Sequence, residues 1–393
     1  MGIKYLNRFL KTQCKKSIQN VQISELKNKT LVIDTSIYLY RFLEKDCLLQ
    51  NFFMMVAQCH QNQITPIFVF DGKPSEEKFQ VLLERYYKRK EAIAEYNLCK
   101  ETMEDEKAMA SLTVEELDKL EKKMIFYKRE SVKVTHDHID QVRKLLKCLG
   151  VTYIDAPQEA DIICAYYVKT NQAWACVSDD MDMFIYGCNY VIREWNIEKG
   201  QCTVYNRQSI LNCLRIKDPY FSAVLILLGT DYHQLLEEKS EPIYVSQGFQ
   251  FYYQYQGYKQ IHKQKKLSEG DKNVGEIEDE NVMDFYKWII QEKKAVEEND
   301  LENLMKIYSM FQVPKTMDLN EYTCSTAKTI EWEILLKYLR PYGFIRSGGY
   351  IPLGDTSPIP PYSKMGERSE PNYIPLWNGG GKGEPLGSPN GGG

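Results

Sequence analysis

Four short apolar runs in this 393-residue chain each end on a carboxylate: TLVIDTS on Asp34, PIFVFDGK on Asp71, VTYIDAPQEAD with Glu159 and Asp161 just beyond, and AWACVSDDMD on Asp180 and Asp182. A fifth acid position, Asp231, closes another apolar run, AVLILLGTDY. Short apolar runs bounded by turn signals read as buried parallel strands. The carboxyl ends of such strands line one crevice of an open α/β sheet. Seven acids delivered to one crevice cannot all ionise unless cations sit among them. The cations suited to an all-oxygen site are Mg²⁺ or Mn²⁺. Two such ions roughly 4 Å apart are the usual device for cleaving a phosphodiester.

Any one of these acids alone would read as a helix N-cap or a turn former. Five repeats of the same placement make that reading insufficient. Asp180 and Asp182 put two carboxylates on one side of a turning segment. Glu159 and Asp161 sit in a first helical turn, where the positive end of the dipole tolerates charge. Asp179, beside Asp180, is expected to face away or to cap a turn.

The chain is long enough for two or three domains and, at 43% hydrophobic, for a large core. Its net charge of −4 argues against a nucleic-acid partner at face value, but the acid cluster and an acidic stretch near 269–280 distort that sum. The eleven cysteines include no CxxC pair. With no secretory signal read at the start, they are expected as reduced thiols of an intracellular protein, nuclear or cytoplasmic. No apolar run is long enough to span a membrane, so no membrane partner is expected.

Over residues 1–75 the pattern alternates: a helix over 3–16, a strand at 31–34, a helix over 36–60 and a strand at 66–70. Residues 76–130, rich in Lys, Glu, Arg and Ala, read as long exposed helices, with a capping box at Thr113 and Glu116. From 135 the α/β pattern resumes: a helix capped by Thr135 and ended by Gly150, a strand at 151–154, a helix opening near Pro157, a strand at 174–178, further short strands, and a helix to 229. The stretch at 76–130 is therefore an insertion between the halves of one α/β domain, 1–75 and 131–231. Beyond it, helices are expected at 282–297, 301–311 and 329–340 within a mainly helical region at 232–345. The Gly-, Pro- and Ser-rich tail at 346–393 is expected to be disordered.

Two basic segments stand out. KFQVLLERYYKRK carries Lys78, Arg85, Lys88, Arg89 and Lys90 against one acid, Glu84. Lys78 and Arg85 are seven apart and share a helical face. A basic face directly after the Asp71 strand can hold a scissile phosphate, though a solvated helix face has the same spacing. FQFYYQYQGYKQIHKQKK, at 249–266, could stack bases and hold backbone through Lys263, Lys265 and Lys266. An aromatic hairpin packed on the domain is the more economical reading.

MGIKYL, VIDTSIYLYRFL, FVFDGKPSEEK, KVTHDHIDQVRKLL, IDAPQEADIICAYY, SDDMDMFIYG and LLGTDY, in that order over residues 1–232, resemble successive blocks of the flap endonuclease family of 5′ nucleases. The resemblance implies a PIN-like α/β fold: a mostly parallel central sheet flanked by helices, a helical arch at 76–130 and a divergent, mainly helical rear. It implies a Mg²⁺-dependent, two-metal phosphodiesterase acting on branched or flapped DNA in replication, repair or recombination. Asp34, Asp71, Glu159 and Asp161 would then hold one metal, and Asp161, Asp180, Asp182 and Asp231 the other. Lys78 and Arg85 match the basic pair above the metals. Tyr40 matches the aromatic that stacks on a base near the scissile bond, and Gly2 the N-terminal glycine near the substrate.

Position 161 is Asp, as in related 5′ exonucleases, where flap endonucleases usually carry Glu. After Asp231 the family's K⁺-binding glycine loop, of GIGxxxA type, is not found, nor is a clamp-binding motif in the tail. So divergent a rear half would suit a large DNA virus. A processive 5′→3′ exonuclease is the alternative enzyme, and a non-catalytic junction-binding protein the alternative of another class.

Overall fold

The structure, a computed structural model, describes residues 3–232, 235–236, 243–268, 281–319, 322–325, 329–342, 350–352 and 373–375. The chain opens with helix α1 (Leu6–Gln13), shorter than the expected 3–16 because Tyr5 adopts a left-handed φ of 62° and a 3₁₀ turn takes over at Lys15–Ser17. Strand β1 (Ile18–Gln22) was not foreseen; its polar, half-exposed IQNVQ pattern marks an edge strand. Next come β2 (Thr30–Asp34), α2 (Thr35–Glu44), α3 (Leu48–Gln61) and β3 (Thr65–Phe70). The single helix expected over 36–60 is thus two, divided where Asp46 takes φ 56°.

The expected insertion consists of α4 (Phe79–Glu104), α5 (Glu106–Ser111) and α6 (Val114–Glu130). The Thr113–Glu116 capping box starts α6: Glu116 N–H donates to Thr113 Oγ1 at 3.3 Å, and Thr113 N–H donates to Glu116 at 2.8 Å. Thr135 likewise caps α7 (His136–Cys148). Then follow β4 (Thr152–Asp155), α8 (Ala160–Lys169), β5 (Ala175–Val177), β6 (Tyr190–Asn196) and β7 (Gln201–Asn206). In place of a helix running to 229, α9 (Arg207–Leu214) and α10 (Asp218–Leu227) are separated by Arg215 at φ 49°.

The aromatic-basic stretch is no hairpin. It lies inside one helix, α11 (Val245–Ser268), whose Phe249, Tyr252 and Tyr255 are buried. Beyond it stand α12 (Val282–Trp288), α13 (Asp300–Met310), a short strand β8 (Thr323–Ser325) that the sequence did not signal, and α14 (Trp332–Leu339). The helix expected over 282–297 stops early, because its π-turn at Ile289–Lys293 ends on Lys294 at φ 49°. Within the tail, β9 (Tyr350–Pro352) and β10 (Tyr373–Pro375), each a Tyr-Ile-Pro run, pair antiparallel. The remainder of 346–393 lies outside the described residues.

The main sheet has the order β1-β7-β6-β5-β2-β3-β4-β8. Its centre, β6-β5-β2-β3-β4, is parallel throughout, and both flanks are antiparallel. Alternate residues along each strand face opposite cores. Leu31, Ile33, Phe68, Phe70, Ala175 and Val177 pack with α2, α3, α7 and α14. Val32, Val69, Ile154 and Cys176 pack with α1, α8 and the rear helices α10 to α13. The described cysteines are free thiols. Among the described residues, no helix is long and apolar enough to cross a membrane.

The exit from β3 is bound to the loop after β4. Gly72 N–H donates to Gln158 O at 2.6 Å, and Lys73 N–H to Pro157 O at 3.3 Å. A Cβ on Gly72 would fall on the Ala156 carbonyl oxygen and 2.8 Å from the Pro157 carbonyl carbon, both backbone atoms that cannot swing aside. Gly72→Ala is therefore expected to destabilise the protein by about 1–3 kcal/mol, measured as a lower urea midpoint with an unchanged m-value.

Candidate active site

The parallel strands end along one edge of the sheet, and their exits carry the acids. Asp34 ends β2 and caps α2, accepting from Ser36 N–H at 3.2 Å and Ser178 Oγ at 3.0 Å. Asp71, just past β3, accepts from Ala160 N–H at 2.8 Å and from the Ser36 hydroxyl. Glu159 is the N-cap residue of α8, and Asp161 lies in its first turn. After β5, Asp180 caps a 3₁₀ turn and accepts from Asp182 N–H at 3.0 Å. Asp231 follows α10.

Two further acids at the same edge are turned aside. Asp155, at the end of β4, takes Arg143 Nε at 3.0 Å. Asp179 pairs with Arg41 and accepts Glu194 N–H at 2.8 Å, so it points away from the cluster. His138 serves the cap of α7, its Nδ1 accepting from Thr135 N–H at 3.2 Å.

The arch supplies the cations. Lys78 Nζ donates to Glu159 Oε2 at 2.9 Å and lies 3.8 Å from Asp231 Oδ2, while Arg85 Nη2 donates to Asp231 Oδ2 at 2.7 Å. Tyr232, which the sequence reading passed over, holds Lys78 from behind. Its ring faces the ammonium at 5.0 Å, and its hydroxyl donates to Glu159 Oε2 at 3.1 Å. Ser36, Ser178 and Gly72 were also passed over: a hydroxyl that positions a carboxylate and a glycine that permits a close approach leave no periodic mark.

The electrostatics are those of crowded like charge. Burial, and then Asp71, push Asp34 up to about 8. Burial followed by Asp34 and Asp180 raises Asp161 well above the carboxylate range; burial followed by Asp180 and Asp231 does the same to Asp182. Lys78 stays protonated: burial would lower its pKa, but Glu159, Tyr232 and Asp161 outweigh that.

Among the described residues, no three Asp, Glu, His or Cys side chains gather closely enough to clasp an ion. The donor set nevertheless fits hard cations. It is all oxygen, and Glu159 Oε1 and Asp182 Oδ1 are buried without any hydrogen-bond partner. Such orphaned acceptors are costly unless a cation meets them.

Of the other residues singled out from the sequence, Tyr40 stands 44% exposed on α2. It lines a cavity of about 420 Å³ with Arg41, Arg129 and Arg193. Lys88 and Lys90 project to solvent from α4, and Arg89 lies over the Tyr86 ring. Lys263 is exposed on α11. Gly2 and the side chains of Lys265 and Lys266 lie outside the described residues, as do 233–234 and 237–242, on which much of the missing-glycine-loop expectation falls.

Residues 1–92 match the model of the XPG N-terminal domain, and residues 150–231 that of the XPG I-region. The chain is 29% identical over 251 residues to flap endonuclease 1 of Debaryomyces hansenii, covering 59% of this chain and 62% of that protein. It is 31% identical over 231 residues to flap endonuclease 1 of Methanococcus aeolicus, covering 55% and 66%. The chain thus spans less than two thirds of the relatives it matches. Among solved structures, the catalytic core of Rad2 in complex with DNA substrate superposes with a TM-score of 0.56 at 21% identity, over 86% of this chain and 95% of that one. Flap endonuclease-1 from Methanococcus jannaschii superposes with a TM-score of 0.51 at 20% identity, over 87% and 93%. At these identities the likeness is one of fold.

The raised carboxylates fix how metal-free stability depends on pH. In the unfolded chain Asp34 ionises near 3.8, in the folded one near 8. The folded state therefore binds more protons across that window, and stability falls as pH rises through it. Thermal unfolding in chelator should show Tm decreasing between about pH 4 and pH 8. Asp182→Asn, which removes one of the crowded charges, should raise the chelated protein's Tm at pH 7.5; an unchanged or lower Tm would show that the cluster is not under repulsion.

Proposed function

We propose, from the premise that the chain belongs to the flap endonuclease family of 5′ nucleases, that it hydrolyses a phosphodiester of branched DNA at the foot of a 5′ single-stranded arm, using divalent metal ions. The observation that carries this reading is that the acids stand at neighbouring strand and helix ends, with Lys78 paired to Glu159 and Arg85 to Asp231 and with one oxygen each of Glu159 and Asp182 buried and unpartnered. A protein that only bound junctions would gain nothing from carboxylates that repel both each other and DNA.

Two Mg²⁺ ions, with Mn²⁺ as a substitute, would be held by Asp34, Asp71, Glu159 and Asp161 on one side and by Asp161, Asp180, Asp182 and Asp231 on the other. When bound, such ions lower the pKa of water and withdraw charge from a reacting phosphodiester. The chain's own groups do the rest. Lys78 and Arg85 bring donors to the side of the cluster from which a phosphate must arrive, and would meet charge as it develops on the phosphate oxygens. The Tyr232 ring and hydroxyl keep the Lys78 ammonium aimed inward. Ser36, Ser178 and the Ala160 N–H fix the orientation of Asp34 and Asp71, so these carboxylates need not reorganise during the reaction. Tyr40, exposed on α2, would stack on a base next to the scissile bond. No Ser, Cys or His acts as nucleophile in this scheme.

Asp180→Ala should abolish cleavage of a labelled 5′-flap substrate in Mg²⁺ while keeping or improving flap affinity, because it removes negative charge where the phosphate approaches. Asp179→Ala should leave the single-turnover rate within a few-fold of the parent. Arg85→Ala should slow the chemical step by roughly 10²–10³, with a much smaller loss of binding. Near-normal cleavage by the Asp180 variant would sink the assignment.

Duplex beyond the cut would be gripped by α11. Changing Lys263, Lys265 and Lys266 together to Ala should lower affinity for double-stranded DNA and flatten the salt slope by up to about three units, with cleavage at saturation intact. Unchanged duplex affinity, or parent affinity that prefers K⁺ to Na⁺ at fixed ionic strength, would count against it.

A further inference from the structure

Helix α4 has three distinct faces along its lower turns. Successive residues turn by about 100°, so positions can be read as angles from Arg85, which points into the acid cluster. Ala92 and Cys99 lie about 20–40° to one side, and both are buried. Glu95, further round the same way, pairs with Lys123 of α6 at 2.8 Å. Towards the other side, at about 60–120°, lie Leu82, Ile93, Tyr86 and Phe79. These four are 36%, 42%, 49% and 62% exposed, in that order.

An exposed apolar residue standing alone needs no account, but a row on one helix face beside a site does. This row adjoins the Lys78–Arg85 face directly. It is edged by cations: the Arg89 guanidinium lies 5.9 Å from the centre of the Tyr86 ring, and Lys90 projects to solvent on the following position. Flat apolar groups interleaved with cations along a path that continues from a phosphate site form a surface for unpaired nucleic acid, bases stacking and backbone meeting charge. A paired duplex keeps its base faces covered and has nothing to offer Phe79 or Leu82. A partner protein's apolar helix would find Arg89 and Lys90 at the edge of the groove.

We infer that Phe79, Leu82 and Tyr86 form a stacking platform for the unpaired bases of the 5′ arm immediately beyond the scissile bond. This rests on the nuclease reading above and adds a determinant to it. The enzyme would select a single-stranded 5′ arm by contact with its bases as well as by the space under the arch.

The test measures binding in chelator, so that no cleavage is needed. Three nicked duplexes are compared: one without an arm, one with a six-nucleotide 5′ arm, and one with the same arm made abasic. The parent should bind the base-bearing arm about tenfold more tightly than the abasic arm, the effect of roughly one stacked base. Phe79→Ser, Leu82→Ser and Tyr86→Ser together should erase that difference while leaving affinity for the armless nick unchanged. Tyr86→Phe should retain it. A 2-aminopurine in the arm should be quenched by the parent and not by the triple variant. Helical content from far-UV circular dichroism confirms that the exposed substitutions leave the fold intact.

Equal binding of abasic and base-bearing arms by the parent would overturn the inference, as would a triple variant that keeps the full difference. Failure of the nuclease reading has a separate signature: no Mg²⁺-dependent cleavage of the armed substrate, whichever arm is bound better.

Discussion

Repulsion among carboxylates is the constraint from which the rest of this structure follows. Parallel strands bring their ends to one edge, and on this chain those ends are acidic. Without compensation the cluster would hold its protons or push the strand exits apart, and the raised Asp34, Asp161 and Asp182 record that pressure. Relief comes from three sources. Backbone amides at the starts of α2, α8 and the turn after Asp180 donate into the acids. Ser36 and Ser178 add hydroxyls. Two cations arrive from the first turns of the insertion between the halves of the domain, Lys78 just before α4 and Arg85 on it. The arch is therefore rooted in the site, because it begins directly after the strand that carries Asp71.

That dependence explains which parts could be read in advance. The strands were legible because buried parallel strands are almost uniformly apolar, and the acids because each punctuates such a run. The capping boxes at Thr113 and Thr135 were legible because a cap needs particular side chains at fixed offsets. Legibility fails where structure depends on one backbone torsion. Nothing in Lys45-Asp46-Cys47 or Leu214-Arg215-Ile216 announces a break, yet a left-handed residue in each ends a helix. It fails also for edge strands. β1 and β8 have no uniformly apolar face to advertise, since one side of each is open. In the site, charged members were visible by kind, whereas Tyr232, Ser36, Ser178 and Gly72 act through contacts with residues distant in sequence.

Behind Asp231 the chain does not build a separate globule. α11, α12 and α13 bury Phe249, Tyr252, Phe285, Tyr286 and Leu304 against α10 and the face of the sheet that carries Val32 and Cys176. α14 crosses to the opposite face and packs on α7 through Leu335 and Leu339. The aromatics of the 249–266 stretch are thus divided along one helix. Those facing α10 and α12 are core, and Tyr253, Tyr258 and Ile261 remain exposed. Composition alone merges these two roles, because an aromatic helix that packs and one that presents a surface use the same residues.

The strand order has a consequence for how the molecule comes into being. β5, at residues 175–177, sits between β2 and β6, and among the described residues β1 pairs with β7, at 201–206. A growing chain that has completed β2 and β3 therefore waits about a hundred residues, the whole arch included, before its central strand is covered on the other side. Throughout that interval an apolar strand, Leu-Val-Ile, offers open hydrogen-bonding groups to any neighbour. Contacts this distant form slowly and leave intermediates prone to association. The helices of the insertion rest on local contacts, with the cap at Thr113 among them, and so do not depend on that distant pairing. Among the described residues the outer edge of β4 is covered by β8, so the rear half also extends the sheet on which the site is built.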